Sequence, residues 1–231
     1  MHNGELKPSI IPAGERRIRG SGACPSADDN VISLDYGHVI TYWGHRIPNA
    51  NPFQAGIGGG KDHAPGASTF LIAPTEDEAN MVLDKLGVNG KPGARYVVSN
   101  AYMAYAILTI FADWDETNQG YYTRIQTSQG AQVVPAMKYY DTMEAKLHIF
   151  DTNGLRNYRL VHESTPNTYT RGGNEETQFK YVYNVLYGGN LQIENSGYAK
   201  IFEYVKGAKI TGRAPPDTAI TLANTIKLKQ T

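Results

Sequence analysis

Apolar and polar positions fall in blocks along this chain, and the blocks change period. Val31-Ile32-Ser33-Leu34 is a short apolar run of strand length, closed by Asp35. After it Val39, Ile40 and Trp43 recur at helical spacing, with Tyr36 one turn back. Gly44 stands where a glycine commonly ends a helix. Asp35 at the head of that segment reads on spacing alone as an N-cap, held near the positive end of the helix dipole.

Thr75-Glu76-Asp77-Glu78 predicts a second helix start, with Thr75 as N-cap and Glu78 three residues on. Ala79, Val82, Leu83 and Leu86 form its apolar stripe, and Gly87 stops it. Arg95-Tyr96-Val97-Val98-Ser99 reads as a strand. Asn100 is placed to cap the next helix, Ala101 to Ala112, where Tyr102, Met103, Ala106, Ile107 and Ile110 recur at three- and four-residue intervals. A hairpin is expected over about 119–135, turning through Gly130. Met137, Tyr140, Met143, Leu147 and Phe150 mark another amphipathic helix, ended by Asn153-Gly154, and 157–164 another strand.

From Phe179 the period becomes two: 179–185, 198–205, 208–211 and 218–228 all read as strands between glycine and proline punctuation. The expected class is α+β, mixed, with three parts. Residues 1–29, rich in proline and glycine, form an arm or linker. Residues 30–178 form a small α/β core with strand–helix alternation and the hairpin insertion. Residues 179–231 form an antiparallel β part packed on that core.

Composition narrows the function classes. Lys plus Arg and Asp plus Glu balance at 22 each, and no basic stripe is interleaved with aromatics, so nucleic acid is not an expected partner. Cys24 is the single cysteine, which excludes an internal disulfide and a thiolate zinc site. The longest apolar run, Met103 to Ala112, is about half of the roughly twenty residues a membrane span needs. Sixteen tyrosines suit strand surfaces and a wet exterior facing carbohydrate or protein.

The glycine-rich stretch 55–67 fails as a phosphate loop, because Gly60-Lys61-Asp62 lacks the Gly-Lys-Ser/Thr ending. It reads as a mobile or ligand-covering loop, with His63 exposed by default. Asp113-Trp114-Asp115-Glu116 reads as a solvated helix end. The six histidines show no metal-ligand spacing and no nucleophile elbow occurs, so the residues present no catalytic set.

Two segments carry a family likeness. Asp35-Tyr36-Gly37-His38, with Ile40-Thr41-Tyr42 and then Asn49-Ala50-Asn51-Pro52-Phe53-Gln54-Ala55-Gly56, resembles the signature region of the archaeal oligosaccharyltransferase catalytic subunit. That family carries Trp-Trp-Asp-Tyr-Gly here, and this chain has Ser33-Leu34-Asp35-Tyr36-Gly37. Met103-x-x-Ala106-x-x-x-Ile110 is similar to the family's second signature, Met-x-x-Ile-x-x-x-Ile/Val/Trp, with alanine at the middle position. Asn157–Ser164 and Lys200–Gly212 are also family-like.

The resemblance implies the soluble C-terminal domain of an enzyme that transfers an oligosaccharide from a lipid carrier to asparagine in Asn-x-Ser/Thr, on the extracytoplasmic face of the membrane. Catalysis and a divalent metal, Mg or Mn, then belong to a membrane-embedded part outside this sequence. The domain has no catalytic residue or metal of its own and is expected to be inactive in isolation. Ser33, Leu34, Asp35, Tyr36, Gly37, Met103, Ala106 and Ile110 become the expected binding residues for the acceptor Ser/Thr. The alternative left open is a non-catalytic extracellular carbohydrate- or peptide-binding module.

Overall fold

The computed structural model describes residues 31–33, 36–50, 53, 56–90, 92–115, 120–166 and 173–205. The expected arm 1–29 and the expected strands 208–211 and 218–228 lie outside the described residues.

Four strands form one mixed sheet: β1 (Val31–Ile32), β2 (Tyr96–Asn100), β5 (Tyr158–Glu163) and β6 (Ala199–Tyr204), in the order β1-β2-β6-β5. β1 runs parallel to β2, with Val31 opposite Tyr96 and Ile32 opposite Val97. β2–β6 and β6–β5 are antiparallel. A separate hairpin, β3 (Tyr122–Thr127) and β4 (Gly130–Pro135), falls where the sequence placed the insertion. The class is α+β as expected. The strand at 199–204 belongs to the core sheet itself rather than to a sheet of its own.

One face of the sheet is dry. Ile32, Val97, Ser99, Lys200 and Phe202 are all buried on it, against α2 (Ala67–Ile72), α3 (Glu76–Leu86) and α6 (Met143–His148), whose Phe70, Leu71, Leu83, Met143 and Leu147 complete the core. The other face carries Glu203, whose two carboxylate oxygens each accept from one arginine, Arg95 and Arg159.

Helix α3 starts as predicted: Thr75 Oγ1 accepts from the Glu78 N–H at 3.2 Å and donates to Glu78 Oε1 at 3.0 Å. Ala79 and Leu83 are fully buried. Removing this cap with Thr75→Ala is expected to cost about 1 kcal/mol, measured as a shift in the urea unfolding midpoint at unchanged slope.

The predicted helix 137–150 is two helices, α5 (Met137–Tyr140) and α6, because Thr142 adopts an extended backbone and caps α6 by accepting from the Ala145 N–H at 3.2 Å. The segment 179–185 is not a strand. It lies in α7 (Gly173–Tyr187). Nearly every second residue there is apolar, which mimics alternation, but burial follows the helical period: Glu176, Phe179, Lys180 and Val182 are inside while Tyr181 and Val185 face out. The Lys180 ammonium meets the buried Glu176 carboxylate one turn away at 2.6 Å.

The tyrosines do not all serve a wet exterior; several are core residues, Tyr140 on the apolar side that its helical spacing predicts. Tyr139 and Tyr140 are fully buried, and their hydroxyls donate to the Ala104 and Phe179 carbonyls. Their rings, with those of Phe179, Tyr183 and Phe150, pack mostly edge-on, a geometry that adds to plain area burial.

Candidate functional site

The two signature segments leave adjacent parallel strands at the same edge of the sheet. β1 runs into Ser33 and, after Tyr36, into α1 (Gly37–Gly44). β2 runs into Asn100, whose Oδ1 accepts from the Met103 N–H at 2.9 Å and so caps the next helix as expected. In open α/β sheets ligands bind outside the carboxyl ends of the strands, the side from which both segments leave.

A third segment ties them together. Tyr198, just before β6, bonds through its hydroxyl to the Tyr36 hydroxyl at 3.2 Å, and its carbonyl accepts from the Ala101 N–H at 2.8 Å. No spacing in the sequence marks Tyr198; only the pairing of β6 with β2 brings it there.

The individual residues fare differently. Ser33 is buried beneath this edge, and Gly37 is the buried first residue of α1. Tyr36 is half-buried. The N-cap position of α1 falls to Tyr36, which makes no side-chain cap bond. Leu34 and Asp35 lie outside the described residues. The helix ends on His45 in the left-handed conformation (φ 50°), one residue beyond the predicted glycine stop.

In the second signature, Met103 is buried whereas Ala106 and Ile110 face outward, Ile110 being 58% exposed. In a regular α-helix the three would share a face. Here residues Met103–Ile107 form a π turn, with the Leu108 N–H reaching back to the Met103 carbonyl, before α4 (Leu108–Trp114) resumes. The inserted residue rotates Met103 inward relative to the other two. Such single π turns are frequent at functional sites. The outward stripe continues to Trp114, one turn past Ile110, whose indole N–H donates to the Gly58 carbonyl at 2.9 Å.

That bond helps fasten the glycine-rich loop. Gly59 and Ala64 exchange backbone bonds, the Ser68 N–H donates to the Ile57 carbonyl, and His63 Nδ1 lies 3.0 Å from Asp115 Oδ2. Two expectations change here. His63 is exposed but paired, and Asp115 is buried rather than part of a solvated helix end. Both border a cleft of about 420 Å³ with Ile72, Met81, Tyr121 and Lys138.

Beneath the site lies a closed polar cluster that sequence reading missed, since its members are far apart in the chain. Ser99 Oγ is 2.6 Å from Glu144 Oε1 and 2.8 Å from His148 Nδ1. The Lys200 ammonium donates to the His148 carbonyl at 2.8 Å and pairs with Asp151 at 2.6 Å. Burial pushes the Glu144 carboxyl up to about 8, with Ser99 and Lys200 pulling the other way. Burial, then the Lys200 charge, holds His148 well below its ordinary value. Both are therefore neutral at pH 7. Ser99 donates to Glu144 Oε1, which leaves Nδ1–H of His148 to donate to Ser99.

Among the described residues no group of three or more His, Cys, Asp or Glu side chains is set to hold a metal ion. No helix among them is long and apolar enough to cross a membrane.

Comparison with known proteins agrees with this layout. A family profile described as the AglB core domain matches residues 20–104, which include the first signature and the start of the second. Dolichyl-phosphooligosaccharide-protein glycotransferase 3 of Archaeoglobus fulgidus is 35% identical over 263 aligned positions, covering 87% of this chain. The chain belongs to the archaeal oligosaccharyltransferase family.

It spans 30% of the length of that relative, so it is a partial domain of the family's protein. Archaeal oligosaccharyltransferase AglB from Archaeoglobus fulgidus, solved with an inhibitory peptide and a dolichol-phosphate, superposes with a TM-score of 0.68 at 33% identity, over 80% of this chain and 28% of that one. An Archaeoglobus fulgidus oligosaccharyltransferase tethered to an acceptor peptide containing the NVT sequon gives 0.65 at 32% identity, over 79% and 28%. A complex with zinc and sulfate gives 0.67 at 31%, over 79% and 30%. Family membership favours the glycosyltransferase reading of the sequence over the stand-alone binding module.

Proposed function

We propose that this chain is the acceptor-recognising, extracytoplasmic C-terminal domain of an oligosaccharyltransferase that glycosylates Asn-x-Ser/Thr from a lipid-linked oligosaccharide. The observation that supports it most is the convergence of both signature segments at one sheet edge, tied by Tyr198. The relatives solved with an acceptor or inhibitory peptide and with dolichol-phosphate supply the substrate classes.

The recognition chemistry assigned to this edge is simple. The Asp35 carboxylate accepts the hydroxyl proton of the acceptor Ser or Thr, a charge-assisted bond stronger than a neutral one. Ala106 and Ile110, turned outward, offer an apolar wall for the threonine methyl, a contact of order 1 kcal/mol. Ser33 is buried and Ala106 is short, so the wall is thinner than one built from the family's usual Trp and Ile. Met103 then acts from below, by packing rather than by touching the peptide.

The bond-making groups and the divalent metal, Mg or Mn, belong to the rest of the enzyme. The described residues of this chain offer no metal-ligand set of their own. Their part is to bind and orient the acceptor.

The test joins this domain to the rest of its enzyme in vesicles and follows transfer to Asn-x-Thr, Asn-x-Ser and Asn-x-Ala peptides. Transfer is expected to the first two only, Thr above Ser, because a site that satisfies a hydroxyl rejects residues lacking one. Asp35→Ala is expected to lose roughly 10- to 100-fold, the worth of a hydrogen bond to a charged group. Undiminished transfer by this variant, or comparable transfer to the Asn-x-Ala peptide, would overturn the assignment.

A further inference from the structure

The second signature is fixed at its start and interrupted in its middle. The Asn100 cap holds the Met103 N–H, but the π turn at Met103–Ile107 separates that cap from α4. A π turn is one of the places where a helix changes direction. Ala106 lies within the turn and Ile110 beyond it, so the apolar wall assigned to the acceptor methyl spans the break. Where Ile110 stands then depends on what holds the far end of α4.

The glycine-rich loop holds that end. Trp114 closes α4, and its indole N–H donates to the Gly58 carbonyl at 2.9 Å. Asp115, the next residue, is buried, with Oδ2 3.0 Å from His63 Nδ1. Gly59 sits between these two bonds. A methyl added to it would stand 2.9 Å from Trp114 Cδ1 and 3.1 Å from Asp115 Oδ1. The loop is closed on itself by the bonds that Gly59 and Ala64 exchange, and the Ser68 N–H ties it to α2 through the Ile57 carbonyl at 2.7 Å. Ser68 Oγ in turn donates to the Phe111 carbonyl of α4 at 3.4 Å.

The other end of the loop reaches the first signature. Gly56 lies against the backbone of Asn49, and the Asn49 N–H donates to the Val31 carbonyl at 2.7 Å. Val31 opens β1, the strand that runs into Ser33. One path of packed backbone and hydrogen bonds therefore joins the end of α4 to the strand bearing the first signature.

We infer that Trp114, Asp115 and His63 form a latch that sets the position of Ile110 against the first signature, and so the preference of the site for threonine over serine. They are positioning residues and touch no substrate. The inference rests on the acceptor-recognition reading. A loosened latch lets α4 tilt about the π turn and carries Ile110 away from the threonine methyl, while the hydroxyl contact stays. Serine has no methyl to lose.

The test uses the whole enzyme in vesicles and measures KM and kcat for Asn-x-Thr and Asn-x-Ser peptides. Trp114→Phe keeps a ring but removes the indole donor, and Asp115→Ala removes the partner of His63. Each is expected to raise KM for Asn-x-Thr roughly three- to fivefold, the scale of one methyl contact, at unchanged kcat. KM for Asn-x-Ser is expected to stay within about twofold. Asp115→Asn keeps an oxygen that accepts from His63 Nδ1–H, and it is expected to restore the threonine preference.

A damaged fold would instead lower kcat for both peptides alike. An unchanged ratio of the two peptides in both loosened variants, or an equal loss for each peptide, would overturn the latch and leave the acceptor reading in place. Comparable transfer to Asn-x-Ala by the unaltered enzyme would overturn the acceptor reading, and the latch with it.

Discussion

Raising the pH above 4.5 is expected to remove roughly 4–5 kcal/mol of folding stability through Glu144, about 2 kcal/mol of it above pH 6.5. Its carboxyl titrates at about 8 in the folded protein and near 4.5 unfolded. Between those values the unfolded chain has released a proton that the folded one still holds, so stability falls as pH rises. His148 works in the opposite sense. Its folded pKa lies below 6.5, so the unfolded chain takes up a proton that the folded one refuses, and stability falls as pH drops below 6.5. Below 6.5 the two slopes oppose each other for as long as His148 stays neutral in the fold.

The net profile from this pair falls between 6.5 and about 8, where Glu144 alone contributes. Denaturant unfolding at a series of pH values measures it directly. Glu144→Gln, whose amide oxygen can still accept from Ser99, is expected to abolish the fall between 6.5 and 8, whatever it does to stability at lower pH. A variant that keeps the same alkaline slope would show that Glu144 is ionised in the fold. The cluster sits one residue before the Asn100 cap, so its ionisation is also expected to loosen the start of the second signature.

How far the sequence foretold this arrangement depends on what each feature needs. Strands β1, β2, β5 and β6, the hairpin, the Thr75 start and the Asn100 cap were legible because each rests on local pattern or a residue with a specific backbone role. The same local logic misread 179–185, where aromatic and aliphatic residues fill both periods and the choice falls to Glu176, Phe179 and Lys180, which need a helical phase to reach the interior.

Tyr198 and the Ser99–Glu144–His148 cluster were invisible for another reason. Their contacts span sequence separations of 45 to 162 residues, and nothing in the spacing of the residues marks them. The π turn at 103–107 is subtler. The signature spacing was visible, but the extra residue that turns Met103 inward and Ala106 and Ile110 outward is a backbone event that apolar periodicity does not encode. The helical period of α1 was right, although Gly37 is its one buried residue. Periodicity reports that a helix has an apolar side, and leaves open what covers that side.

Gly56→Ala is expected to be the most damaging single substitution near the site, costing about 3 kcal/mol or more. Gly56 has φ +75°, a conformation that costs an ordinary residue roughly 1–2 kcal/mol. A methyl there would also stand 1.7 Å from the Asn49 carbonyl oxygen and 2.9 Å from its carbon. Both are backbone atoms that cannot swing aside.

Residues 47–49 are the outer neighbour of β1: the Val31 N–H donates to the Ile47 carbonyl at 2.9 Å, and the Asn49 N–H to the Val31 carbonyl at 2.7 Å. Displacing Asn49 therefore pulls at the strand that leads into the first signature. Gly60→Ala supplies the comparison, because Gly60 has φ +80° with nothing within 4 Å of the added carbon. It should show the left-handed penalty alone, roughly 1–2 kcal/mol. Urea unfolding gives the two costs, and amide exchange at Val31 and Asn49 gives their location. Faster exchange at both amides in Gly56→Ala, with unchanged exchange in Gly60→Ala, is the expected pattern. Equal costs for the two variants would mean that the loop moves away from Asn49 without strain, and that the edge of β1 does not depend on it.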